Sequence, residues 1–83
     1  MARTTFTGRE IAKVLRNHGY RKAGRTGSHL QLRWESSDTD EVRTVTVPMK
    51  SEDDIPTGTM RSIAEQCGAE DFEKWCEWID ENC

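Results

Sequence analysis

The stretch Ser28-His29-Leu30-Gln31-Leu32-Arg33-Trp34-Glu35 decides the fold. Leu30, Leu32 and Trp34 alternate with His29, Gln31, Arg33 and Glu35, the period of two that sends successive side chains to opposite faces of a strand. Such a strand has one apolar face that needs a cover and one polar face that can meet water. Two further strands flank it. Residues 20–25 read as a short strand that reaches the first through a tight turn at Thr26-Gly27. Val42-Arg43-Thr44-Val45-Thr46-Val47 is β-branched at most positions, favours a pleated half-buried surface, and is closed by Pro48. The polar loop Ser36-Ser37-Asp38-Thr39-Asp40 joins the last two. Links this short predict an antiparallel meander.

Helical signals surround the meander. Thr7-Gly8-Arg9-Glu10 is a capping box, in which the Thr7 hydroxyl and the Glu10 carboxylate satisfy each other's backbone N–H groups. Phe6 and Ile11 occupy the staple positions on either side of it. Ile11, Val14, Leu15 and His18 follow the i, i+3, i+4, i+7 spacing of one helix face, and Gly19 stops the helix, which is expected over residues 8–18. After an acidic loop over 51–56, a second helix begins at Thr57-Gly58-Thr59, buries Met60, Ile63, Ala64 and Cys67, and ends at Gly68. A third carries Phe72, Trp75, Cys76 and Ile79 on one stripe, with Trp78 beside it. Neither a helix stripe nor a sheet face can be buried alone. The expected fold is therefore α+β: a two-layer sandwich, α-β-β-β-α with a three-stranded antiparallel sheet and an extra C-terminal helix. This is the architecture of double-stranded-RNA-binding domains.

The 83 residues suit one domain, and no linker splits them. Only 34% are hydrophobic against 33% charged, so the core is thin and every large apolar residue is needed for it. No apolar run approaches the ~18 residues of a spanning helix, and the first residues lack a signal peptide's apolar stretch. A soluble, cytoplasmic protein is expected. Cys67, Cys76 and Cys83 are an odd set without a CxxC pair, which reads as free, mostly core thiols rather than a zinc site. The net charge of −3 hides an asymmetry. Residues 1–50 hold ten Lys and Arg against five acids, whereas residues 51–83 hold two against ten. A basic region for a polyanion and an acidic end for something else would produce that distribution, as would two ordinarily solvated halves.

Two histidines are present. His18 sits on the apolar face of the first helix near its C-terminus, where a partly buried structural role is expected. His29 follows the turn glycine Gly27 and Ser28, and points away from Leu30, Leu32 and Trp34. It therefore stands on the solvent face with Gln31 and Arg33. Arg21 and Lys22 are candidate neighbours, although alternation alone leaves open which of them faces this side. A histidine among cations on an open sheet face can handle a proton beside a bound phosphate; the alternative is a plain surface histidine.

Thr7-Gly8-Arg9-Glu10 leading to Leu15, then Gly19-Tyr20, Gly27-Ser28-His29, Val45-Thr46-Val47-Pro48-Met49, Gly58-Thr59-Met60-Arg61-Ser62-Ile63, Gly68 and Phe72 form an ordered set. That set resembles the HicA (YcfA-like) toxin family over residues 7–72, leaving 73–83 as a helical extension of one HicA-like domain. The resemblance implies the fold of a double-stranded-RNA-binding domain, endoribonuclease activity on mRNA, and neutralisation by a HicB-type antitoxin protein. The family's functional histidine falls on His29, and its turn glycine and serine on Gly27 and Ser28. Arg21, Lys22, Arg25, Ser28, Arg33 and Arg61 complete the expected RNA-binding set. The chain departs from the family in being acidic overall and in having Arg61 as the only cation of its second helix.

The implied chemistry uses no metal or cofactor. Neutral His29 takes the proton of a ribose 2′-OH, which attacks the adjacent phosphorus, while Arg33 with Arg21 or Lys22 stabilises the phosphate oxygens. General-base help of this kind gives ~10²–10⁴-fold, and a lone histidine without a partner acid makes a slow enzyme. Two other readings use the same fold: a non-catalytic RNA-binding module, and a protein-interaction domain working through the acidic third helix. Trp75 and Trp78 read as core or partner contacts, because Glu70, Asp71, Glu73, Glu77, Asp80 and Glu81 around them repel RNA.

Overall fold

The computed structural model describes residues 4–49 and 54–83. Arg3, Lys50 and residues 51–53 of the acidic loop lie outside the described residues. The order is α1 (Gly8–Asn17), β1 (Arg21–Thr26), β2 (His29–Glu35), β3 (Val42–Pro48), α2 (Thr57–Gln66) and α3 (Phe72–Asn82). The strands form one antiparallel sheet in the order β1-β2-β3, and the helices make the second layer of an α+β sandwich. Among the described residues no helix is long and apolar enough to cross a membrane.

The alternation of β2 survives intact: Leu30 and Leu32 are buried and Trp34 is half-buried, while His29, Gln31, Arg33 and Glu35 are exposed. Leu30 stands opposite Val47 and Leu32 opposite Val45, so four apolar side chains form the floor of the core. Ile11, Val14 and Leu15 of α1, Met60 and Ile63 of α2, and Trp75, Cys76 and Ile79 of α3 close over it. Each such side chain contributes ~1.5–3 kcal/mol on burial, which is how a thin core suffices. β1 has no buried residue, because the helices pack on β2 and β3 and leave it outside the cover.

Local chemistry sets the ends of α1. Glu10 donates its N–H to the Thr7 hydroxyl at 3.2 Å, and the Thr7 N–H donates to Glu10 Oε1 at 3.0 Å. Phe6 and Ile11, the staple pair, have no exposed surface. At the other end Gly19 takes φ +95°, and the Tyr20 N–H reaches back to the Leu15 carbonyl at 3.1 Å. Tyr20 therefore belongs to the helix stop, and β1 starts at Arg21 rather than at residue 20. The turn falls on Gly27-Ser28, one residue later than the expected Thr26-Gly27, because Thr26 still pairs with His29 and Gly27 supplies φ +58°. His18 is exposed rather than partly buried. Its Nδ1 donates to the Val14 carbonyl at 2.8 Å, and its ring meets Trp78 edge-on at 4.8 Å.

Two contacts lock the helices to β3. The Thr46 N–H donates to Gln66 Oε1 at 2.9 Å, so a side chain of α2 serves the outer edge of the strand. Arg43 donates from Nη1 to the Cys67 carbonyl at 2.6 Å, pairs with Glu41, and lies over the Trp34 ring at 4.8 Å. Gly68 ends α2 at φ +79°, and a Cβ there would come within 3.0 Å of the Arg43 guanidinium. Tyr20 shares this corner. Burial, then the neighbouring Cys67 thiol, pushes its phenol up to about 12, against the opposing pull of Arg43.

Two outcomes follow from this packing. A Cβ on Gly8 would strike the Pro48 carbonyl and crowd the Met49 sulfur at 3.1 Å. Gly8→Ala should therefore lower stability by about 1–3 kcal/mol in chemical denaturation, although alanine is the better helix former. Tyr20 is the one tyrosine, so phenolate absorbance reports it alone. Below pH 10 the phenol is neutral in folded and unfolded chains, and its burial counts in full. Between pH 10 and about 12 only the unfolded chain ionises, so stability falls as pH rises through that window. The absorbance midpoint should lie near 12 in the folded protein and near 10 in denaturant, and Tyr20→Phe should remove this contribution to the alkaline loss of stability.

Candidate functional site on the open sheet face

Residues directly opposite in an antiparallel ladder share a face. The register therefore puts Arg21, Gly24 and Thr26 of β1, His29, Gln31, Arg33 and Glu35 of β2, and Val42, Thr44, Thr46 and Pro48 of β3 on the side away from the helices. Its one large exposed apolar group is Val42, so the face needs no apolar cover.

His29 stands at one end of this face, between Thr26 and Pro48, just after the turn. It is exposed and has no hydrogen-bond or ion-pair partner among the described residues. The turn holds it in place: the Met49 N–H donates to the Ser28 carbonyl at 2.6 Å and extends the β2–β3 ladder past the strand ends. Arg25 curls over the same turn, its Nε donating to the Gly27 carbonyl at 3.1 Å. Arg25 and His29 thus flank the same turn, from opposite faces of the sheet.

Arg21 and Arg33 form a pair. They are register partners, and with Lys22, Gly19, Ala23 and Glu35 they line a groove of about 350 Å³. Arg33 is also paired through Nε with Glu35 at 2.8 Å, an exposed bridge that phosphate can displace. Arg33 lies four steps along the strand from His29, about 13 Å at the rise of a β-strand. Arg33 and Arg21 therefore stand at the far end of β2 from His29.

Alternation had left open which of Arg21 and Lys22 faces His29's side. The ladder answers it for Arg21. Ala23 is an extra residue between Lys22, opposite Leu32, and Gly24, opposite Gln31. Lys22 and Arg25 consequently face the helix side in register, but β1 is an uncovered edge and both remain exposed. The lone Gly24 inside a strand pattern was the available signal for this bulge. Arg61 lies elsewhere: it projects from α2 over the Phe72 ring at 4.5 Å. Cys67 and Cys76 are buried and burial raises both thiols, while Cys83 is exposed and donates its thiol to Glu10 Oε2 at 3.1 Å. Among the described residues no three of His, Cys, Asp and Glu are grouped as a metal site requires.

A small α+β sandwich with a histidine and a cationic groove on its bare sheet face is the class of molecule these observations define. The family model described as the HicA toxin of bacterial toxin-antitoxin matches residues 8–69, three quarters of the chain, and the protein belongs to that family. Neither the curated proteins nor the solved structures gave a match.

The geometry separates His29 from the core. His29→Ala should change stability by no more than about 0.5 kcal/mol, whereas Leu32→Ala, three residues on and facing the helices, should cost about 2–5 kcal/mol. Denaturant titration of the two variants checks this. A large loss for His29→Ala would mean that its ring carries packing.

Proposed function

We propose that this toxin is an RNA-cleaving enzyme whose general base is His29, and that a HicB-type antitoxin neutralises it by covering the open sheet face. The observation that carries the reading is the pairing on one bare face of a histidine without a partner among the described residues and a groove of cations about 13 Å along the strand. An RNA strand laid along β2 puts one phosphate at the turn and another in the groove.

At the turn, neutral His29 takes the proton of a ribose 2′-OH, and the oxygen attacks the adjacent phosphorus. The 5′-oxygen of the next nucleotide leaves, giving a cyclic phosphate. Arg25 leaves the strand on the helix side, but its guanidinium is held at the turn by the Gly27 carbonyl, from where it can swing to meet charge developing there. Arg21, Lys22 and Arg33 anchor a phosphate further along and set the register of the strand. Ser28 is a turn residue in this scheme, and Arg61 at most a peripheral contact. No carboxylate among the described residues orients the His29 ring, which fits a slow enzyme.

The test compares wild type and His29→Ala on RNA and on the same strand with 2′-deoxyribose at the scissile position, with and without chelator. His29→Ala should lose cleavage, at least about 10²-fold, and keep RNA affinity. Arg21→Ala with Arg33→Ala should instead weaken binding and flatten its salt dependence. The deoxy strand should resist, and chelator should change nothing. Equal cleavage by wild type and His29→Ala would remove His29 from the chemistry. Cleavage lost on chelation would replace this scheme with a metal-dependent one. Binding without cleavage by either protein would make the chain a non-catalytic RNA-binding module.

A further inference from the structure

On the bare face β2 presents His29, Gln31, Arg33 and Glu35, in that order along the strand. Arg33 stands directly opposite Arg21. Like charges so placed repel each other, and an anion close by relieves them. Glu35 supplies that anion. Its Oε1 pairs with Arg33 Nε at 2.8 Å, and Glu35 lines the same groove as Arg21, Lys22 and Arg33. Arg21 and Lys22 have no ion-pair partner among the described residues.

The bridge is easily exchanged. Both of its side chains are more than half exposed, and an exposed pair holds by no more than about fivefold. A phosphate oxygen offers Arg33 the same kind of acceptor as the carboxylate does, and Arg21 and Lys22 are at hand for its remaining charge. Glu35 is also where the cations end. Past it the loop to β3 brings Asp38, Asp40 and Glu41, all exposed. A phosphate that reaches Arg33 therefore has no further cation on that side to move to, and meets the carboxylate in place.

We propose that Glu35 is a built-in competitor for phosphate in this groove: its carboxylate holds Arg33 until an incoming phosphate takes its place. The competition lowers the groove's affinity for every phosphate by one factor. A strand must then draw on contacts at the His29 turn as well, and the groove registers a strand without trapping it. The proposal rests on the reading of the groove as a phosphate site, and not on the chemistry assigned to His29.

The experiment titrates the full-length protein at low salt with inorganic pyrophosphate and, in the His29→Ala background so that no strand is cut, with a short single-stranded RNA. Glu35→Gln should tighten both ligands about two- to fivefold. Asp40→Asn removes the same charge outside the groove and should tighten them much less. With Arg33→Ala already present, Glu35→Gln should bring no gain. The Arg33 Nε–H resonance should differ between wild type and Glu35→Gln without ligand, and coincide when pyrophosphate saturates both, because phosphate has then replaced the carboxylate. Equal or weaker binding by Glu35→Gln would make Glu35 a support for Arg33 and overturn the proposal. So would an equal gain from Asp40→Asn, which would reduce the effect to net charge, or the failure of either protein to bind pyrophosphate. If pyrophosphate separates the variants while RNA binds to none of them, the exchange stands and the RNA reading of the face falls.

Discussion

Leu32 and Val45 face each other across the β2–β3 ladder without exposed surface, and the rest of the molecule is arranged to keep them so. Three short helices can cover two strands. α1 lies over β2 and β3, α2 over β3, and α3 closes the layer by packing on both helices. Among the described residues nothing remains to cover β1 or the reverse of the sheet. Those surfaces must then be polar or charged, and in this chain they carry Arg21, Lys22, Arg25, His29 and Arg33. The bare face is in this sense a by-product of a core too small to have two sides.

That economy also divides the cations. The extra residue at Ala23 puts Arg25 opposite Leu30, on the helix side, and leaves Arg21 opposite Arg33 on the face that carries His29. A single regular strand would have put Arg21 and Arg25 on the same face. The bulge thus sends the cations of β1 to two sides of a three-stranded sheet, Arg21 to the bare face and Lys22 and Arg25 to the uncovered edge on the helix side.

Most of the fold was legible in the sequence because its signals are local. The Thr7–Glu10 box, the Ile11-Val14-Leu15 stripe, the alternation of β2 and the glycine stops at Gly19 and Gly68 each depend on residues within a turn or two of one another. His29 was legible for the same reason, since the phase of β2 alone sends it outward. The misjudged features depend on distance. His18 continues the apolar stripe of α1, but the last turn runs past the edge of the core, so the helix phase points it at Trp78 and water. The sides taken by Lys22 and Arg25 depend on a bulge that period-two counting passes over. Arg43 reads as an ordinary strand position, and its clamp on the Cys67 carbonyl joins residues 24 apart. The stacking of Arg61 on Phe72 likewise joins two elements that no local pattern relates.

The Gln66 amide at the Thr46 N–H bears on a property unrelated to ligands. A sheet edge with unpaired N–H and C=O groups is a template for another chain, and sheets grow into aggregates along such edges. Here the two edges are blunted by different means. On β3 a helix side chain occupies a position where an added strand would bond. On β1 the extra residue breaks the even spacing that an added strand would need, and Lys22 and Arg25 set like charges against a second copy. One amide and one inserted alanine thus blunt both edges of a bare three-stranded sheet.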